Sequence, residues 1–292
     1  MRRIADYYSL TKSGLVYGNL VTVIAGFVLA SEGRGIGFGA LAAAIVGMAF
    51  VMASGCVFNN MIDRELDAHM VRTKARALVE GRIGLRAACI FGAALAIVGF
   101  AALAWGATMQ AAALAAFGFF VYVVAYSMWT KRRTVYGTAV GAIAGAMPPV
   151  VGYTAAGGRI GLTAAALFAV MITWQMAHFF SIAIRRRDDY AAGNIPVMPV
   201  KYGIARTKAS MVAYIIEFTL AASLFTLLGK EGYVFLAIAL TLGLLWLLLG
   251  IRGFFVKDPD GDRIWAAHMF IVSLIIMVGF FAALTIGAVL LA

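Results

Sequence analysis

Apolar residues in this chain neither alternate with polar ones nor fall into short amphipathic groups; they continue for eighteen or more positions before a charged stretch interrupts them. An α-helix crosses the hydrocarbon of a bilayer in about 20 residues, so runs of that length predict membrane spans. Such runs predict helices at 14–31, 38–60, 87–106, 109–129, 135–155, 162–184, 209–228, 233–251 and 267–291. The expected fold is an all-α, polytopic membrane protein of about nine transmembrane helices. A transmembrane β-barrel is excluded, because its strands alternate between lipid-facing and lumen-facing residues.

Composition agrees and narrows the class. Of the 292 residues, 63% are hydrophobic and 13% charged, and the mean hydropathy of +0.94 excludes both an ordinary soluble domain and a disordered chain. No linker or low-complexity segment is visible, so residues 1–292 are read as one integral-membrane domain. The formal charge of +11 would suggest nucleic acid in a soluble protein. Here its distribution points elsewhere, and no nucleic-acid partner is expected. Of the Lys and Arg residues, 21 fall on one set of alternate connections and 3 (Arg34, Arg159 and Lys230) on the other. The positive-inside rule then places the N-terminus and the basic connections in the cytoplasm and the C-terminus across a bacterial-type inner membrane. A cleaved signal peptide is not expected: Asp6 interrupts the basic N-terminal region, and removing the first helix would break the alternation. Cys56 and Cys89 lack a CxxC spacing or a neighbouring His and read as small packing residues.

The 13 acidic residues are more informative because they are few. Asp63, Glu65, Asp67 and Glu80 follow the second span, and Asp188 and Asp189 follow the sixth. This placement suggests two four-helix halves plus one further helix. If the second helix continues through its polar end, Asn59, Asn60, Asp63 and Asp67 share a face within about 100° of arc. Oxygen ligands in a row of about 10 Å suit a diphosphate bridged by Mg²⁺, which binds few carboxylates and keeps phosphate or water oxygens. A solvated helix end carrying charges is the plainer reading of the same residues. Arg72, Lys74 and Arg76 follow closely, and Lys131 and Arg132 stand on the next basic connection. Acids flanked by such cations can make a diphosphate clamp, although each cation also serves as a topology determinant, the reading preferred for Arg133, Arg186 and Arg187.

The run Asn59, Asn60, Asp63, Asp67 resembles the NDxxDxxxD signature of the intramembrane aromatic prenyltransferase superfamily, with Asn60 in place of its first Asp. Residues 53–67, Gly18 to Leu20, Lys131 to Gly137, Gly145 to Tyr153, Trp174 to Phe179 and Asp189 to Pro199 resemble its haem O synthase (protohaem IX farnesyltransferase) branch. The chain departs from the family at Ala177, where Pro usually precedes the histidine, and at Arg185, where the second acidic motif of the superfamily commonly carries an acid four residues before Asp189. The resemblance implies farnesyl diphosphate as donor, haem B as acceptor, Mg²⁺ as cofactor, and a hydroxyethylfarnesyl product. It implies metal ligation by Asn60, Asp63, Asp67 and Asp189, with Asn59 beside them in the catalytic group, and diphosphate contacts from Arg72, Arg76, Lys131 and Arg132. Haem contact falls to His178, with Trp174 and Tyr190 in the same pocket; pairing inside the bundle is the other reading of His178, and interfacial belt positions the other reading of the two aromatics. Membrane lipid is a partner, and haem A synthase or a terminal oxidase assembly is a further expected one. Glu217 reads as a hydrogen-bonded packing residue or, less favoured, a substrate contact, and His69 and His268 as solvated. The competing functions are prenyl transfer to a quinone precursor or chlorin, and membrane transport, which would place its polar site near the bilayer midplane.

Overall fold

The computed structural model describes residues 2–290; residue 291 of the last expected span and the domain ends 1 and 292 lie outside them. Eight helices are long and apolar enough to cross a membrane. They are α1 (Ser13–Ala30), α2 (Phe38–Ile62), α3 (Leu85–Gly106), α4 (Met109–Arg133), α6 (Leu162–Arg185), α7 (Ile204–Leu227), α8 (Tyr233–Arg252) and α9 (Pro259–Leu290), with α5 formed between α4 and α6 as two pieces, Gly137–Gly145 and Met147–Ala155. The break in α5 is the physical work of Pro148 and Pro149. Proline has no N–H to give a preceding turn, and it is accommodated in the first turn of a new helix. The expected span at 135–155 is thus present as a crossing in two half-length helices.

Two helices start earlier than hydropathy predicts: α7 at residue 204, not 209, and α9 at residue 259, not 267. Their first turns carry charges that hydropathy counts against a span. Asp260 and Asp262 lie in the opening turn of α9, where carboxylates favour the positive end of the helix dipole. Lys208 is buried, donates to the carbonyls of Gly253 (2.7 Å) and Val256 (3.2 Å), and pairs with Asp262. It thereby ties the start of α7 to the connection between α8 and α9.

The helices pack as a closed ring in chain order, with α1 against α2, α5 and α9, and with α6 against α7 and α9. The ninth helix, which the acid spacing leaves as an extra, closes that ring. At one crossing the backbones touch: a Cβ on Gly26 would lie 2.0 Å from the Pro149 carbonyl oxygen, and one on Gly152 would lie 2.0 Å from that of Val23. Small residues permit such contact between membrane helices, where dispersion and not apolar burial drives association. Glu217 departs from its expected place. It lies on the exposed side of α7 with no hydrogen-bond or ion-pair partner among the described residues, because Met211, Ile215, Phe218, Ala222 and Phe225 form the packing row. Cys89 also faces outward, whereas Cys56 is buried as expected. His69 and His268 are exposed.

Candidate active site

The polar end of α2 builds the site. Helical hydrogen bonding passes through its nominal end, from the Asp63 N–H to the Asn59 carbonyl (2.9 Å) and from the Asp67 N–H to the Asp63 carbonyl (2.8 Å). Asn59, Asp63 and Asp67 are therefore stacked one turn apart on one face. Burial is nearly complete, with Asp63 1% and Asp67 5% exposed. Buried carboxylates of this kind need partners. The Asn59 amide donates to Asp63 Oδ2 at 2.8 Å, and the Lys131 ammonium pairs with the same oxygen. Arg76 pairs with Asp67 at 2.5 Å and donates to Asn60 Oδ1 at 3.0 Å.

Lys131 reaches Asp63 because of how α4 is wound. Residues Val121–Thr130 form a π-helix, whose i→i+5 hydrogen bonding aligns side chains four and five apart. Tyr122, Tyr126, Ser127 and Lys131 thus share a side, the two tyrosine rings stack with centroids 5.8 Å apart, and Ser127 Oγ accepts from Asn59 at 2.9 Å. Lys12, held in left-handed backbone geometry just before α1 (φ 50°), sends its ammonium to Asn59 Oδ1 at 2.6 Å. Burial is the main reason that its pKa falls to about 8, with repulsion from Arg76 and Lys131 adding to the effect.

These groups surround a polar cavity of about 160 Å³, to which Arg72 and Tyr190 also contribute. Burial raises the Tyr190 phenol above its ordinary value. A second, largely apolar cavity of about 440 Å³ lies inside the ring and includes Trp174, His178, Phe119 and Phe270 in its lining. A third opening, also of about 440 Å³, carries Arg185 and Arg186. Tyr122 lines all three, so a polar head and an apolar chain can occupy adjoining compartments.

His178 is oriented by α9. Ser273 Oγ donates to the Phe270 carbonyl at 2.6 Å and lies 2.7 Å from His178 Nδ1. With its proton already committed, the serine oxygen accepts from Nδ1–H, which assigns the tautomer and leaves Nε2 as the ring's lone-pair nitrogen. Trp174 stacks on the imidazole at 4.8 Å and donates its indole N–H to the Ser273 carbonyl at 2.8 Å. One residue of α9 therefore positions both aromatic side chains.

The structure brings Asn59, Asp63, Asp67, Arg72, Arg76, Lys131 and Tyr190 to the polar cavity, and it places Trp174 and His178 at the apolar one. Asn60 turns aside, donating to the Leu10 carbonyl at 2.9 Å while it accepts from Arg76. Arg132 caps α2 by donating to the Ile62 carbonyl and lies 4.0 Å from Asp63. Asp189 borders a separate surface opening with Arg185 and Asp188, its carboxylate 3.9 Å from Arg186. Tyr190 belongs with the acids and not with His178. Lys12, Tyr122, Tyr126 and Ser127 are additions that spacing in the sequence does not mark. A lysine at the membrane edge reads as a topology charge, and a π-helix has no apolar periodicity of its own to betray it.

The donor set fits a magnesium ion. Asp63 Oδ1 is buried without a hydrogen-bond partner among the described residues, and Asp67 faces the same cavity one turn away. Among the described residues no three His, Cys, Asp or Glu side chains converge as a metal cluster. Two carboxylates accord with Mg²⁺, which takes its other oxygens from water and substrate phosphate.

Residues 19–274 match the UbiA prenyltransferase family. The chain is 51% identical over 271 residues to a protoheme IX farnesyltransferase of Protochlamydia amoebophila, covering 93% of this chain and 94% of that protein. It is 44% identical over 273 residues to protoheme IX farnesyltransferase 2 of Pseudomonas aeruginosa, covering 94% and 91%. Among solved structures, a digeranylgeranylglyceryl phosphate synthase shares the fold with a TM-score of 0.80 at 18% identity, over 99% of each chain. A UbiA homolog from Archaeoglobus fulgidus, bound to GPP and Mg²⁺, does so with a TM-score of 0.71 at 15% identity, over 96% and 99%. With its helix ring, its buried acids and a match across most of its length, the chain belongs to the UbiA prenyltransferase family, a family of integral-membrane enzymes.

Proposed function

We propose that the chain transfers the farnesyl group of farnesyl diphosphate to a vinyl group of haem B with addition of water, giving haem O and diphosphate. The observation that carries this reading is the junction at Tyr122, where a cavity of acids and cations meets an apolar one that holds an oriented imidazole. Relatives named for this reaction, at up to 51% identity, support it. The solved relative with GPP and Mg²⁺ supports a metal-dependent diphosphate site.

Asp63 and Asp67 hold the metal, whose charge, when it is bound, stabilises the leaving diphosphate. Lys12, Arg72, Arg76 and Lys131 bind the phosphate oxygens and offset the negative charge that grows on them as the allylic C–O bond breaks. Asn59 positions Lys12 and Asp63 together. Asn60 steers Arg76, Arg132 fixes the end of α2, and Asp189 supplies negative charge beside the cleft. The apolar cavity receives the prenyl chain and limits water near the cation, while Tyr122 and Tyr126 present ring faces at the junction. His178 offers Nε2 to the haem iron, with Ser273 holding the ring and Trp174 stacked beside it. The acids lie at the cytoplasmic edge of a bacterial-type inner membrane, and haem O passes to a haem A synthase or terminal oxidase assembly.

Purified protein in lipid with haem B, farnesyl diphosphate and Mg²⁺ is expected to give a haem product heavier by one farnesyl group and one hydroxyl group, the proton of the added water leaving with diphosphate. Asp63→Asn should lower turnover by about 100-fold or more, as losses of charge-stabilising groups do. Absence of that product, or normal turnover by the variant, overturns the proposal.

A further inference from the structure

The second acidic motif of this chain carries Arg185 where the wider superfamily commonly has an acid, and the structure shows where that cation lies. His178, Ile182 and Arg185 follow at i, i+4 and i+7 on α6, within about 60° of one another around the helix axis, with Arg185 about 10 Å beyond His178 along it. Ile182 lines both the His178 cavity and the opening that Arg185 and Arg186 border. One face of α6 thus leads from the imidazole to two guanidinium groups at the cytoplasmic rim. Neighbouring cations are already engaged: Arg263 pairs with Asp188 and Asp260, and Arg186 lies 3.9 Å from Asp189. Arg185 makes no ion pair among the described residues, although Asp188 and Asp189, held by Arg263 and Arg186, border the same surface opening.

We propose that Arg185 binds the carboxylate edge of a porphyrin acceptor. This deepens the reading of the acceptor as haem and rests on it. Haem is an apolar disc with both carboxylates on one edge, and the distance from iron to carboxylate is comparable to the rise between His178 and Arg185. Iron at His178 then sets the carboxylates at the wet rim, where guanidinium groups match carboxylate geometry. The vinyl-bearing part of the ring turns inward, toward the junction with the diphosphate cavity. Arg185 under this assignment selects and orients the acceptor, while the donor clamp consists of other residues.

The test is a titration of the lipid-reconstituted protein with haem B and with its dimethyl ester, whose carboxylates are masked, followed by the haem absorbance band. Wild type is expected to bind haem B about tenfold or more tightly than the diester, the size of a charge-assisted pair. Arg185→Gln should bind both at the diester level, Arg185→Lys should recover part of the preference, and the Michaelis constant for farnesyl diphosphate should not change. Equal binding of haem B and diester by wild type overturns the assignment while leaving haem as acceptor, and it requires no variant to fold. A retained preference in Arg185→Gln overturns it too, as does a loss confined to farnesyl diphosphate, which would give Arg185 to the donor. Binding of neither porphyrin overturns the acceptor reading and this assignment together.

Discussion

Lys12 sits closer to the acids than any feature of its sequence neighbourhood suggests, and burial makes its charge sensitive to pH. Its folded pKa near 8 lies below the ordinary 10.5 because burial disfavours the charged form. Below about pH 8 the ammonium is present in the free enzyme, and as the pH rises through that value the cavity loses one positive charge. For farnesyl diphosphate, kcat/KM is therefore expected to fall across that pH, in wild type but not in Lys12→Arg, whose guanidinium stays charged; a pH–rate profile of the two proteins checks this. Linkage runs in a separate direction. Between about pH 8 and 10.5 the unfolded chain binds more protons at this position than the folded one, so its contribution to stability rises with pH over that window. At this scale the sequence marks the acids well, since carboxylates at a membrane edge are scarce. Lys12 is hidden among 24 basic residues, and only the turn before α1 brings it to Asn59.

The elements show the same division. A run of apolar residues predicts that a helix exists, but its ends and breaks depend on groups that hydropathy misreads. The charged first turns of α7 and α9 are helical because Lys208 finds carbonyls and Asp262 to bind, and the prolines divide α5 without ending the crossing. The contact between α1 and α5 is the sharpest structural demand, as a side chain at Gly152 would meet the Val23 backbone. Gly152→Val is expected to destabilise the protein by about 1–3 kcal/mol, the range for overpacking, and to lower the temperature at which it unfolds or aggregates in detergent. A control at Gly39, where nothing lies within 4 Å, should leave that temperature unchanged. The π-helix in α4 is the element that only three dimensions reveal. It rotates Lys131 onto Asp63, which an ordinary helix with the same residues would not do.

The whole molecule is a ring of membrane helices with the buried carboxylates Asp63 and Asp67 at one end of α2, and its charge asymmetry predicts which edge faces the cytoplasm. Single cysteines at Lys74 and Gly33, in a background with Cys56 and Cys89 replaced, should react oppositely with a membrane-impermeant maleimide in spheroplasts: position 33 labels from outside and position 74 only after lysis. The reverse pattern would invert the topology.

Read alone, the sequence predicts a chain that crosses a membrane about nine times, the side its charges favour, and acids collected at the end of the second helix. Those are properties of local composition, because every buried backbone group must be satisfied within its own helix and every charge must find water or a partner. Closing the ring with α9, setting Lys12 on Asn59 and Lys131 on Asp63, turning Asn60 and Arg132 aside, and separating Tyr190 from His178 follow only from how the helices pack. Each depends on which residues of distant helices meet, and in lipid that choice is made by shape and hydrogen bonding between helices, which no single apolar run records.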